Sequence, residues 1–330
     1  MMGYNESITD PSYKGQILTQ TYPLIGNYGV NKRDFESDSP KIEGYIIHEL
    51  CRSPSHWSSM MSLDETLEKY EVPGIEGVDT RALTKKLRYH GTMLGILHVF
   101  YNDDASSKDD ILDEVKRVKD PNDRDLVAEV CTNEVIEHSS RRSRQIVLID
   151  CGVKKSIINS LIDRGVGVIQ VPPTYSADDI LSRKPDGIII SNGPGDPKRI
   201  SYLTRTTEQI FDNGLPIFGI CLGAQILALT FKGNTYKLKF GHRGQNHPCV
   251  ETTSHRCFIT SQNHGYAIEP ESLKNTELEI TFKNANDGTV EGVKHSSSKA
   301  SAVQWHPEAS PGPVDTAFLF DEFVKVIKNT

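Results

Sequence analysis

The apolar positions fall into two regimes. From Gln145 to about Lys232, short runs of branched and aliphatic residues alternate with segments whose apolar residues recur every three to four positions. Ile146–Ile149, Gly167–Val171 and Asp186–Ile190 predict strands, and Lys155–Arg164, Asp178–Ser182 and Thr204–Asn213 predict the helices between them. Strands separated by single helices build a mainly parallel sheet covered by helices on both faces, which makes this an α/β fold. Within this half, residues 217–229 read as a buried strand that turns through Gly219 and Cys221 straight into an apolar helix. Beyond Lys232 shorter strands are expected to dominate, followed by an amphipathic helix over Asp315–Lys328.

The first half is less regular. Extended segments over Gly15–Thr21 and Gly44–Leu50 precede a helix from about Ser62 to Tyr70, with Ser62 as N-cap and Glu65 three residues on. Thr80–Tyr89 predicts a second helix, closed by Gly91. The polar passage from Asp120 to Arg144 loses apolar periodicity in its last third. That loss divides the chain into a smaller mixed α/β domain over residues 1–138, a linker over 139–144 and the helix-flanked domain over 145–330.

Composition narrows the function. A length of 330 residues suits two domains. The net charge of −7, with no basic stripe carrying interleaved aromatics, argues against nucleic-acid binding. The longest apolar runs fall short of a membrane span, and the first residues lack the basic and apolar regions of a signal peptide. Six scattered cysteines without C-x-x-C spacing fit the reduced thiols of a cytoplasmic protein.

Three motifs carry chemistry. The strand-to-helix turn would place Cys221 at a helix N-terminus, where free N–H groups and the positive dipole end favour a thiolate. In Val303-Gln304-Trp305-His306-Pro307-Glu308, strand alternation would put His306 and Glu308 on one face, with the carboxylate orienting the imidazole. The loop Asn192-Gly193-Pro194-Gly195 follows an apolar strand, and its N–H groups could join the amide after Cys221 in an oxyanion hole. Taken singly, each has a plainer reading: a core thiol, a structural strand end, a tight turn. A phosphate loop is a further alternative for the glycine motif, but the required Lys-Ser/Thr ending is absent.

Together, in this order, the motifs closely resemble the class I (triad) glutamine amidotransferases, with their G-x-C-x-G-x-Q elbow, downstream H-P-E and upstream N-G-P-G loop. Further segments resemble the small, glutaminase subunits of carbamoyl-phosphate synthase. These are Gln262-Asn263-His264-Gly265-Tyr266, Phe240–Pro248 and Glu308–Pro313, together with Asp10-Pro11-Ser12-Tyr13, Thr21–Gly29 and Pro73–Thr84 in the first half. The resemblance covers nearly the whole chain.

It implies a Cys221-His306-Glu308 triad that hydrolyses glutamine. It also implies a glutamine site formed by Ser12, Gly193, Gly195, Leu222, Gln225, Asn263, Gly265 and Tyr266. Helical spacing independently sets Gln225 on the face that carries Cys221. The family's partner is a large subunit, in a heterodimer or higher assembly, which uses ATP and Mg to make carbamoyl phosphate from bicarbonate for arginine or pyrimidine synthesis. No cofactor is expected in this chain. No metal is expected either, since His242 and His247 lack a Cys or acidic partner at suitable spacing, and His264 reads as structural.

Two features depart from the family pattern. Ala224 stands where the small subunits usually carry His, a change expected to tune the surroundings of the nucleophile. Met1–Glu6 resembles a T-G-Y-Q-E segment that the family reaches only after several strands, so the first domain reads as truncated, with exposed sheet edges and apolar surface. A glutaminase feeding another synthase would leave the D-P-S-Y and G-I-E-G-V-D-T-R segments unexplained, and a non-catalytic binding partner would not need the triad.

Overall fold

The structure is a computed structural model that describes residues 3–100, 107–138, 144–297 and 299–328. Most of the expected linker, residues 139–143, lies outside them. In the first half, helix α1 (Tyr4–Thr9) leads into two small parallel sheets. One contains β1 (Ile17–Thr19), β3 (Gly44–Ile46) and β5 (Gly74–Ile75); the other pairs β2 (Leu24–Ile25) with β4 (Glu49–Leu50). Helix α2 (Leu63–Lys69) begins on a complete capping box between Ser62 and Glu65, and α3 (Thr80–His90) ends at Gly91, as the sequence predicts. Tyr4, Ile8, Ile25, Tyr45 and Leu63 form the core of this half. Among the described residues β1 and β5 are open sheet edges, and Met93, Leu94, Val99 and Phe100 are exposed in an irregular stretch.

Helix α4 (Lys108–Val115) is an element that the hydrophobic pattern misses. It has no buried residue, and its start rests on a Ser107–Asp110 capping box, a local polar signal. The short strand β6 (Ile136–Glu137), which the expected boundary assigns to the first domain, pairs antiparallel with β8 at the edge of the large sheet.

That sheet has ten strands in the order β12-β11-β13-β14-β15-β10-β9-β7-β8-β6. Its parallel centre contains β7 (Gln145–Ile149), β8 (Gly167–Val171), β9 (Gly187–Ile190), β10 (Ile217–Ile220) and β15 (Ala300–Val303). Alternate residues of these strands feed two cores. Val147, Ile149, Ile188 and Ile190 pack with helices α6 (Ala177–Ser182), α7 (Tyr202–Asp212) and α8 (Leu222–Thr230). Ile146, Leu148, Ile189 and Ile220 pack with α5 (Lys155–Ile162) and α9 (Phe318–Lys328). Burial on both faces explains why these strands read as unbroken apolar runs.

The expectation of shorter strands beyond Lys232 is corrected. β11 (Thr235–Glu251) has 17 residues and β12 (Cys257–Ile268) has 12; with β13 (Leu278–Asn284) and β14 (Val290–His295) they extend the sheet antiparallel. The β11–β12 ladder shifts register between Lys237 and His242 and again between Gly244 and His247. Each shift changes which side chains face inward, so one long strand looks in sequence like several short ones.

Candidate active site

The close approach of α8 to the sheet creates the elbow. A Cβ on Gly223 would stand 2.2 Å from the Ile190 carbonyl oxygen, so only glycine lets the helix start this near β9. Cys221 is the N-cap of α8, with φ 55° and ψ −102°, a conformation that a non-glycine residue holds only under constraint from its surroundings. The following residue, Leu222, is the first of the helix, where amides have no intrahelical partner. The upstream loop abuts it: a Cβ on Gly193 would lie 2.8 Å from Leu222 Cδ2 and 2.1 Å from the Cys151 carbonyl oxygen.

Cys221 Sγ lies 3.7 Å from the Asn263 carbonyl oxygen and 3.7 Å from Gln304 Nε2. His306 Nδ1 and Glu308 Oε1 are 2.6 Å apart, while His306 Nε2 has no hydrogen-bond partner among the described residues. Burial works against the imidazolium, but Glu308 and Cys221 outweigh it and raise the His306 pKa. The pair does not arise from strand alternation, as the sequence suggests. β15 ends at Val303, His306 forms an isolated bridge to Ser261, and Glu308 follows in a turn. The turn brings the carboxylate back to the Nδ1 edge of the ring.

Glu308 has a second partner that the sequence reading missed. Lys154 Nζ donates to Glu308 Oε1 at 3.0 Å and to the Ala309 carbonyl oxygen at 2.6 Å. The side chains are almost wholly enclosed, at 3% exposure for Lys154 and none for Glu308. Burial alone would raise the Glu308 pKa; Lys154 first and His306 second bring it below the usual carboxylate range. Lys154 stands just before the predicted helix, and its partner lies 154 residues further along the chain.

The other expected residues converge only in part. Gln225 Nε2 donates to the Tyr266 carbonyl oxygen at 2.9 Å and contacts Gln304 Oε1 at 3.2 Å, linking α8 to β12. Asn263 Nδ2 donates to Asp10 Oδ2 at 2.9 Å, and Asn192 Nδ2 donates to Ser12 Oγ at 2.9 Å. The first half thus reaches the loop and strand that border Cys221. Gly195 packs instead against Leu126, and Gly265 lies beside the Arg243 guanidinium. Ala224 is buried in the α8 core. Cys221 and His306 are each 2% exposed, so substrate needs a rearrangement to reach the thiol.

The premise behind the metal expectation changes as well. Folding brings His242, His264 and Glu291 within 4.8 Å of one another, and His242 Nε2 lies 2.8 Å from Asp287 Oδ2. Glu291 already accepts from Gln262 Nε2 at 2.8 Å and Asn284 Nδ2 at 2.9 Å, while His264 is held between the Tyr266 carbonyl oxygen and Gln262 Oε1. The group is knitted into an amide network that fixes the strand carrying Asn263. All six cysteines are free; Cys257 is exposed, and Cys151, Cys221 and Cys249 are buried. No helix among the described residues is long and apolar enough to cross a membrane.

Comparisons with known proteins agree along the chain. A family model described as "Glutamine amidotransferase class-I" matches residues 147–326, and one described as "Carbamoyl-phosphate synthase small chain, CPSase domain" matches residues 1–97. The carbamoyl phosphate synthase small chain of Methanopyrus kandleri is 47% identical over 326 residues, covering 99% of this chain and 90% of its own. That of Archaeoglobus fulgidus is 48% identical over 330 residues, with the same two coverages, 99% and 90%. That of Staphylococcus epidermidis is 46% identical over 329 residues, covering 100% of this chain and 88% of its own. With both halves matched and near-half identity over almost the full length, the chain belongs to the carbamoyl phosphate synthase small chain family and carries a class-I glutamine amidotransferase domain.

Proposed function

We propose that Cys221, His306 and Glu308 hydrolyse glutamine and that the ammonia passes to a large subunit, which uses ATP and Mg to make carbamoyl phosphate from bicarbonate. The observation that carries this reading is the enclosed array of Cys221 at the elbow, His306 bonded to Glu308 Oε1 at 2.6 Å, and Lys154 on that same carboxylate oxygen. The Cys221 thiol gives its proton to His306 Nε2, and the thiolate attacks the substrate's amide carbon. The Leu222 amide and the Gly193–Gly195 loop face the developing oxyanion. His306 returns the proton to the departing ammonia, leaving a thioester on Cys221. A water that loses its proton to His306 then releases glutamate. Glu308 keeps His306 Nδ1 protonated throughout, so that Nε2 accepts and donates.

Glutamine is held by Ser12, Gln225, Asn263, Gly265 and Tyr266 around Leu222 and the glycine loop. The assembly is a cytoplasmic heterodimer or a multiple of one, and its product serves arginine or pyrimidine synthesis. The division near residues 139–144 separates the small-subunit N-terminal domain from the amidotransferase domain, although β6 just before it joins the larger sheet. Replacing Cys221 by Ser nearly keeps the volume but removes the nucleophilic sulfur, so glutamine-dependent carbamoyl phosphate formation by the complex should be lost while ammonia-dependent formation persists. Retention of glutaminase activity within a few fold of wild type would exclude Cys221 as nucleophile.

A further inference from the structure

Lys154 is one end of a polar bridge that begins in the first half of the chain. Its own amide donates to Asn192 Oδ1 at 3.1 Å, and the next amide, Lys155 N, donates to the Glu36 carbonyl oxygen at 2.8 Å. The Glu36 carboxylate Oε2 then accepts from Ser156 Oγ at 2.6 Å and Ser156 N at 3.1 Å. Helix α5 has Lys154 as its N-cap and no capping side chain of its own. Glu36 therefore supplies from outside the acceptor that a Ser or Asp normally provides, and places negative charge at the positive end of the helix.

Glu36 is itself anchored, with its amide donating to Thr9 Oγ1 at 2.9 Å, and it is only 5% exposed. Burial works against the Lys154 ammonium, but Glu308, Glu36 and Asp10, in that order, outweigh it and hold Lys154 charged. Two of those three carboxylates come from the first half. One cation thus bonds a triad carboxylate through its ammonium, while the backbone on either side of it is held by Asn192 and Glu36.

We propose that Glu36 is a positioning residue for the amidotransferase triad, acting through Lys154 on Glu308 and so on His306. It touches neither substrate nor nucleophile. Its charge keeps Lys154 from being drawn wholly onto Glu308, and its backbone and side-chain bonds set where the Lys154 side chain starts. The first half of the chain thereby takes part in tuning the base that serves Cys221. This inference rests on the triad reading above.

The test uses the full chain assembled with its large subunit. Glu36→Gln keeps an amide oxygen for Ser156 but removes the charge. It should lower kcat for glutamine hydrolysis about tenfold with KM changed less than about threefold, because the effect is on the reacting array and not on ground-state binding. Ammonia-dependent synthesis should be unchanged. Ser156→Ala removes the hydroxyl bond to Glu36 while keeping the capping amide and the charge, and should leave kcat within about twofold of wild type. A normal kcat in Glu36→Gln, or an equal loss in Ser156→Ala, overturns the proposal, the second result assigning the effect to the Ser156 hydroxyl contact and not to the Glu36 charge. If Glu36→Gln fails to assemble, Glu36→Asp carries the test: withdrawing the charge by one methylene should cost about threefold in kcat, and an unchanged kcat overturns the proposal. Cys221→Ser measured in parallel separates the two readings, since residual activity there refutes the triad whatever Glu36 does.

Discussion

Replacing Lys154 with Met should cost the protein about 3–5 kcal/mol of stability at pH 7, the scale for removing one partner of an enclosed ion pair. The structure sets this high, because Glu308 has no exposed side-chain surface and cannot recover solvation once the ammonium is gone. The Ala309 carbonyl oxygen, held at 2.6 Å by Lys154 Nζ, loses that donor as well, and an orphaned buried acceptor costs about 1–3 kcal/mol. The methylene stem of Met fills most of the space, so little of the loss comes from a cavity.

The effect has a pH signature. In the wild type, the depressed Glu308 pKa contributes stability above the unfolded value of about 4.3, and that contribution disappears as pH falls through the folded value. In the variant the lone carboxylate is relieved by taking up a proton, so the gap between the two proteins should narrow from pH 7.5 to pH 4.5. Urea unfolding followed by tryptophan fluorescence measures this directly. Trp305 is fully buried whereas Trp57 is 86% exposed, and the signal therefore comes from the strand end that leads to His306. A loss under about 1 kcal/mol, or one equal at both pH values, would refute the idea that Lys154 compensates Glu308.

Two further outcomes follow from the same geometry. In Gly223→Ala the added methyl meets the Ile190 carbonyl oxygen at 2.2 Å, so α8 must back away from β9; overpacking of this kind costs about 1–3 kcal/mol, and an elbow displaced by about 1 Å should cost on the order of a hundredfold in glutaminase kcat. A thermal melt and steady-state kinetics near wild type would show that the elbow tolerates the shift. Because Cys221 and His306 are each only 2% exposed, docking of the large subunit with ATP and bicarbonate should raise glutamine turnover at least about tenfold, equivalent to about 1.4 kcal/mol of barrier; equal rates with and without the partner would sink this coupling.

Much of the amidotransferase half is legible in the sequence because its strands are covered on both faces. Residues 146–149 and 187–190 can hardly be anything else once glycines and polar segments bracket them, and the run into Cys221 marks its own turn. What escapes is non-local. Lys154 shows no apolar neighbour pattern that would announce burial beside a glutamate in another turn, and Glu36 sits in a polar stretch that reads as surface. His306 and Glu308 are the right pair for the wrong reason, since adjacency in sequence brings them together through a turn as readily as along a strand. β11 fails for the opposite reason: its ladder survives two register shifts, and no strict alternation can follow it across them.

The bonds from Asn263 to Asp10 and from Asn192 to Ser12 tie the loop and strand bordering Cys221 to the first half of the chain. Two modules joined by a polar passage look as if recombination could exchange them freely between relatives. Here the seam runs beside the elbow that carries Cys221, and a chimera would have to match donors and acceptors across it one by one. Substitutions at Asp10, Ser12 or Glu36 should therefore persist in a lineage only alongside compensating changes at Asn263, Asn192 or Ser156, respectively.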